Sequence, residues 1–135
     1  METTQFSYFV KNNFRFLEQL KTYHFQPGGI IFHNLVGDLY DKVSELFDEI
    51  TEVYIGNTGE MYNCYNDGIP IKDLTSNKYN DLLLELSNYE KLLVDFYDYC
   101  SPAETNILDT LFSVICRTRF LINCETQNDS IHKIG

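Results

Sequence analysis

Ser101-Pro102-Ala103-Glu104 constrains this chain more than any other four residues. A serine followed by proline, with glutamate three residues on, is a capping box with proline at the first helical position. The serine hydroxyl accepts a backbone N–H three residues on, and the glutamate reaches back to the serine N–H. Proline has no N–H to leave unsatisfied there. One helix must therefore stop near Cys100, and another must start at Pro102. A connection this short makes the two helices neighbours and antiparallel.

Apolar spacing extends the helical reading in both directions. Phe6, Phe9, Val10, Phe16, Leu17 and Leu20 recur at helical intervals between Thr4 and Tyr23, with Thr3 or Thr4 placed to cap the start. Gln26-Pro27-Gly28-Gly29 ends that segment. Ile30-Ile31-Phe32 reads either as a brief strand or as the apolar lead-in to the next helix, with a lean to the lead-in. Leu35, Leu39, Val43, Leu46, Ile50 and Val53 form the apolar stripe of a second helix, starting near Asn34 or Asp38, and Gly37 weakens its first turn. A third helix runs from about Ser76 to Tyr99, capped by Thr75 or Ser76, with Tyr79, Leu82, Leu83, Leu86, Leu93 and Phe96 facing inward. The fourth runs to about Asn123. Its apolar residues Ile107, Leu108, Leu111, Phe112, Val114, Ile115, Leu121 and Ile122 cover more than one face, which marks it as the most buried helix.

Between the second and third helices the periodicity fails. Gly56-Asn57-Thr58-Gly59 lies between Val53-Tyr54-Ile55 and Met61-Tyr62-Asn63-Cys64-Tyr65, a pattern that reads as a small hairpin lying over the helices. The expected fold is thus mainly α: a compact four-helix assembly with a hairpin-like insertion between helices two and three. Residues 1–124 form one helical domain, and 125–135 form a polar, flexible tail.

Charge is the second constraint. The net charge of −10 is concentrated in residues 34–99, which carry four basic and fourteen acidic side chains. Such a field repels phosphate backbones and anionic lipid and attracts basic protein surfaces. Direct nucleic-acid binding and membrane binding are disfavoured. Asp38, Asp41, Glu45, Asp48 and Glu52 step by three, four, three and four, so they share one helix face, with Glu49 at its edge and Lys42 as the only cation in that helix. Solvated faces usually mix signs, and like charges at this spacing cost stability. The stripe is therefore the candidate contact for a basic partner. Tyr54, Tyr62 and Tyr65 are its candidate anchors, since tyrosine gives large contact area at low entropy cost.

Four cysteines, Cys64, Cys100, Cys116 and Cys124, lack C-x-x-C spacing and finger-spaced histidines. The last three fall at helical positions, where cysteine is usually a small core residue. No basic segment precedes an apolar run at Met1, and no apolar stretch reaches the ~20 residues of a membrane span. The expectation is reduced thiols, a cytoplasmic setting and no cofactor. His24 and His33 flank the Pro-Gly-Gly turn and read as exposed turn residues.

For chemistry, E-x-x-H, H-E-x-x-H, G-x-x-x-x-G-K-[ST] and G-x-S-x-G are absent. Glu45-x-x-Asp48 and Glu49-x-x-Glu52, with Asp95-x-x-Asp98 on the third helix, resemble the carboxylate patterns of the all-helical MazG-like nucleotide pyrophosphohydrolases. That resemblance implies magnesium held between two helices and nucleotide hydrolysis. Arg117 and Arg119 stand where the four-helical HEPN ribonucleases carry their arginine, but Asn123 occupies the place of the following histidine. The two arginines read instead as partners for helix carbonyls or for acids on helix three. The favoured function is non-catalytic: binding and neutralising a basic protein. It is similar in type to immunity proteins against toxins that attack nucleic acid, or to viral inhibitors of host defence nucleases. A metal-dependent nucleotide hydrolase and a structural or regulatory homodimer are the alternatives.

Overall fold

The structure, a computed structural model, describes residues 4–64, 68 and 70–134. It contains four helices: α1 (Gln5–Phe25), α2 (Ile30–Thr58), α3 (Lys78–Tyr97) and α4 (Pro102–Ile134). The Thr4 hydroxyl caps α1 by accepting the Ser7 N–H at 3.0 Å. Ile30-Ile31-Phe32 is the first turn of α2, not a strand.

Packing follows the order α1–α2–α4–α3 around a square, with α2 and α3 across one diagonal, where Tyr54 meets Phe96 at 5.3 Å and Phe32 meets Tyr79 at 5.6 Å in the core. The aromatic pairs fix direction. Phe6, at the start of α1, stacks on Tyr54 near the end of α2 at 4.4 Å, and Phe9 stacks on Phe96 at the end of α3 at 4.1 Å. α1 is thus antiparallel to both neighbours, and α2 and α3 run the same way across the diagonal. α3 and α4 are antiparallel neighbours, as the short connection at Ser101 requires. The core is one cluster rich in phenylalanine and leucine. Inside it the Tyr89 hydroxyl donates to Asn13 Oδ1 at 2.5 Å, so both buried polar groups are satisfied.

The buried stripe of α2 is Phe32, Val36, Leu39, Val43, Phe47, Ile50 and Tyr54. It is rotated from the expected stripe, and Leu35, Leu46 and Val53 are half-buried flanks. Gly37 does more than weaken a turn: a Cβ there would lie 2.9 Å from the His24 ring, so glycine lets the end of α1 close on α2. α4 buries a single stripe, leaves Phe120 exposed, and continues past Asn123 to Ile134.

The largest correction concerns residues 54–77. Val53-Tyr54-Ile55 belongs to α2, and Gly59 is its C-cap, left-handed at φ 70°, with its N–H bonded to Ile55 O at 2.8 Å. The glycines around Asn57 thus mark a helix end rather than a hairpin turn. No strand exists among the described residues. The described residues of this crossover instead follow α1, held by polar side chains of that helix. Ser7 Oγ accepts the Asn63 N–H at 3.1 Å, and Arg15 Nη2 reaches Pro70 O at 3.4 Å. The fully buried Gln19 amide makes two 2.8 Å bonds with one residue, donating to Lys72 O and accepting from Lys72 N–H. Gln26 repeats the device, accepting from the Leu74 N–H at 2.8 Å and donating to Asp73 Oδ1 at 2.7 Å. The start of α3 is fixed by Asp81, which accepts the Thr75 N–H at 2.7 Å; neither Thr75 nor Ser76 is its N-cap, a position held by Asn77.

The box at α4 forms with altered bonds. Glu104 accepts the Ser101 N–H at 3.2 Å, as expected, but the Ser101 hydroxyl donates to the Glu104 carboxylate instead of capping the backbone. Asn57, in the last turn of α2, donates to Ser101 Oγ at 3.1 Å and to Glu104 Oε1 at 3.2 Å. Burial alone pushes the Glu104 carboxyl up, but the bonds from Ser101, Asn57 and the backbone outweigh it and hold it below its ordinary value.

Two predictions follow from this wiring. Gln19→Leu leaves the Lys72 N–H and C=O without their buried partner. It should cost about 1–3 kcal/mol and speed amide exchange at Lys72; exchange unchanged from wild type would show that the crossover holds without the amide. Glu104 has a depressed carboxyl, so its stabilisation is present above the ordinary carboxylate range and is lost as pH falls through the folded value. Glu104→Gln should therefore lower the melting temperature at pH 7 and converge on wild type in acid. A gap that persists undiminished in acid would refute the assignment.

Candidate acidic face and its surroundings

α2 presents two opposite faces. Its inner stripe locks the helix onto α1 and α4, and that fixes what points outward. Asp38, Asp41, Glu45, Asp48, Glu49 and Glu52 are all exposed. None of the six makes a hydrogen bond or ion pair with a described residue. Lys42 is exposed beside them and lines a cavity of about 310 Å³ between α2 and α4, together with Asp38 and Arg117. The face is therefore a run of uncompensated carboxylates on a rigid helix, with its cations confined to one margin.

The expected anchors divide differently. Tyr54 is buried against Phe6, and its hydroxyl donates to Glu60 Oε2 at 2.8 Å. Burial, reinforced by the Glu60 carboxylate, pushes that phenol far above its ordinary value. It is a core residue and offers no contact surface. Tyr62 is half-buried beside α1, 6.2 Å from the Phe14 ring. Tyr65 lies outside the described residues. The residue that sequence reasoning missed is Phe14. It is 52% exposed and meets Phe47 of α2 edge-on at 5.3 Å, which holds its ring rigid on the side of α1 that adjoins α2. Its signal was available, because Phe14 stands outside the spacing of the α1 core residues.

The carboxylates with pyrophosphohydrolase-like spacing do not converge. Those of α2 point outward, Asp95 and Asp98 are exposed on α3, and α2 and α3 stand across the diagonal. Among the described residues no group of three or more His, Cys, Asp or Glu side chains is placed to hold a metal ion. Glu85, the buried acid of α3, is taken by Arg15 at 2.5 Å.

Other candidates are placed as follows. Arg119 reaches Glu90 on α3 at 2.5 Å, as its position implied, while Arg117 stays exposed. His24 and His33 are half-buried rather than exposed. Their rings stack at 3.7 Å, and each Nδ1 bonds the other residue's carbonyl, at 2.9 and 2.7 Å. All four cysteines are free thiols. Cys116 and Cys124 are exposed, against the expectation of core positions, and Cys100 is half-buried, its thiol pushed up to about 12 by burial and then by the Glu104 charge. No helix among the described residues is long and apolar enough to cross a membrane. No protein-family model, curated protein or solved structure matches this chain.

The two rings give a direct test of this layout. Tyr54→Ala should cost about 3–5 kcal/mol in urea unfolding, the loss typical of a large buried ring. Phe14→Ala should cost roughly 1 kcal/mol, since half its surface is already in water. Equal losses would contradict the division between core and surface.

Proposed function

We propose that the chain is a non-catalytic acidic protein that binds and neutralises a basic protein, with the outer face of α2 as its contact surface. The observation that carries this reading is the set of six exposed carboxylates on α2 that pair with no described residue. Like charges along one helix repel, so the free protein bears a strain that a cationic surface relieves. A rigid helix presents them in fixed geometry, which favours fast, steered encounter. Phe14 and the half-buried Tyr62 lie together on the neighbouring side of α1 and supply the apolar anchor that charge alone lacks. In this role the protein acts by stoichiometry, as immunity proteins and viral anti-defence inhibitors do, on a partner that handles nucleic acid and is basic for that reason. A cytoplasmic setting suits its free thiols.

The test is kinetic. A basic protein captured from native lysate at low salt is measured against wild type and against Asp41→Asn, Glu45→Gln, Asp48→Asn and Glu52→Gln combined. The combined variant should associate several-fold more slowly, with a flatter salt dependence, and should be at least as stable as wild type. Phe14→Ala should act on dissociation instead. Association at the wild-type rate with the face neutralised would place the contact elsewhere.

A further inference from the structure

A second acidic feature lies on the opposite side of the bundle, and its chemistry is different. Along the seam between α1 and α3 an open cavity of about 580 Å³ is lined by Gln5, Tyr8, Val94, Asp95, Asp98 and Tyr99. It adjoins a cleft of about 320 Å³ that shares Tyr8 and Asp95, extends past Asn12 and reaches the Arg15–Glu85 ion pair. Tyr8 and Tyr99 are 49% and 53% exposed, and neither ring stacks on another aromatic among the described residues. Asp95 and Asp98 make no hydrogen bond or ion pair with a described residue, and Lys91, one turn before Asp95, stays exposed without closing one.

We propose that this seam is a binding site for an organic cation, an ammonium or guanidinium group on a short apolar stem. Two aromatic faces attract a cation through their quadrupoles, and two carboxylates supply the countercharge. Val94 offers apolar surface to the stem. Tyr8 comes from α1, Asp95 from α3, and Asp98 and Tyr99 from the turn that follows α3; the Phe9–Phe96 and Phe16–Tyr89 stacks, both 4.1 Å, hold α1 and α3 together, so most of the wall is in place before the ligand arrives. A metal ion fits less well, because hard divalent cations take oxygen shells and gain nothing from the rings. An anionic ligand is repelled by Asp95 and Asp98. The site does not rest on the α2 reading: the two helices stand across the diagonal of the bundle, and the two surfaces share no residue.

The experiment titrates the free protein with two cations, each beside a neutral isostere. Choline is compared with 3,3-dimethylbutan-1-ol, and arginine amide with citrulline amide, by chemical-shift perturbation. Both cations should give saturable shifts at Tyr8, Val94 and Tyr99, and the neutral compounds should give none. Tighter binding of choline assigns the site to a free quaternary amine, and tighter binding of arginine amide assigns it to a protein side chain; either order supports a cation site. Tyr8→Leu and Tyr99→Leu should each weaken binding about 3-fold and together about 10-fold. Asp95→Asn with Asp98→Asn, surface changes that leave the core untouched, should weaken it several-fold and remove most of its salt dependence. Equal shifts from cations and neutral isosteres would overturn the proposal, as would cation shifts spread evenly over the α2 acids and the seam.

Discussion

Because α2 and α3 point the same way, the chain must travel the length of the bundle between them, and no helix or strand is found among the described residues of that crossover. Backbone in such a segment has no ladder or helical partner, so each group it buries needs one from elsewhere. α1 provides them. Gln19 matters most, because a primary amide offers one donor and one acceptor side by side and thereby satisfies both backbone groups of Lys72. Arg15 links the same crossover, at Pro70, to Glu85 of α3. These contacts hold the described crossover residues against α1, while the core packs α2 and α3 across the diagonal of the bundle. That placement is also what keeps the acids of α2 and α3 apart.

The polar side chains of α1 show how much of the fold could be read in advance. Periodicity located all four helices, since a core-facing stripe leaves a regular apolar signature whatever its partners are. The α3–α4 corner was legible from four residues because capping is local chemistry. Three things were not legible, and each has a non-local cause. The glycines around Asn57 fit a hairpin turn and a helix C-cap equally well, and only the burial of Tyr54 against Phe6 decides for the helix. Gln19 and Gln26 look like ordinary exposed helix polars until the crossover is laid over them. Ser101 follows the capping rule only in part, because Asn57 from another helix competes for the same hydroxyl and carboxylate.

The candidate surface shows the same division. That the acids of α2 share a face follows from 100° per residue, and sequence gave their grouping correctly. Which tyrosines accompany them did not follow, because the anchors were chosen by nearness in sequence to a supposed loop. Tyr54 turned inward as the helix continued through it, and Phe14, forty residues away, stands beside the face instead. Nearness in sequence predicts a shared surface only within one element, and here the surface is assembled from two.

A net charge of −10 sets like charges against one another within the fold. The arrangement of the helices limits this. Neighbouring helix axes lie about 8–10 Å apart, so diagonal helices are farther apart still, and their outward side chains add to the separation. Screening falls off over about 8 Å at physiological ionic strength. The carboxylates on α2 therefore repel one another along their own helix but interact little with Asp95 and Asp98 on α3. The cost of the acidity is local to each face. The face proposed on α2 is broad and bordered by a cavity at its α4 margin, which suits another surface of opposite charge, whereas the site proposed between α1 and α3, lined by two tyrosines, suits a single cationic group. On the readings proposed above, the same excess of carboxylate serves two kinds of recognition, because the two acid-bearing helices stand on opposite corners of the bundle.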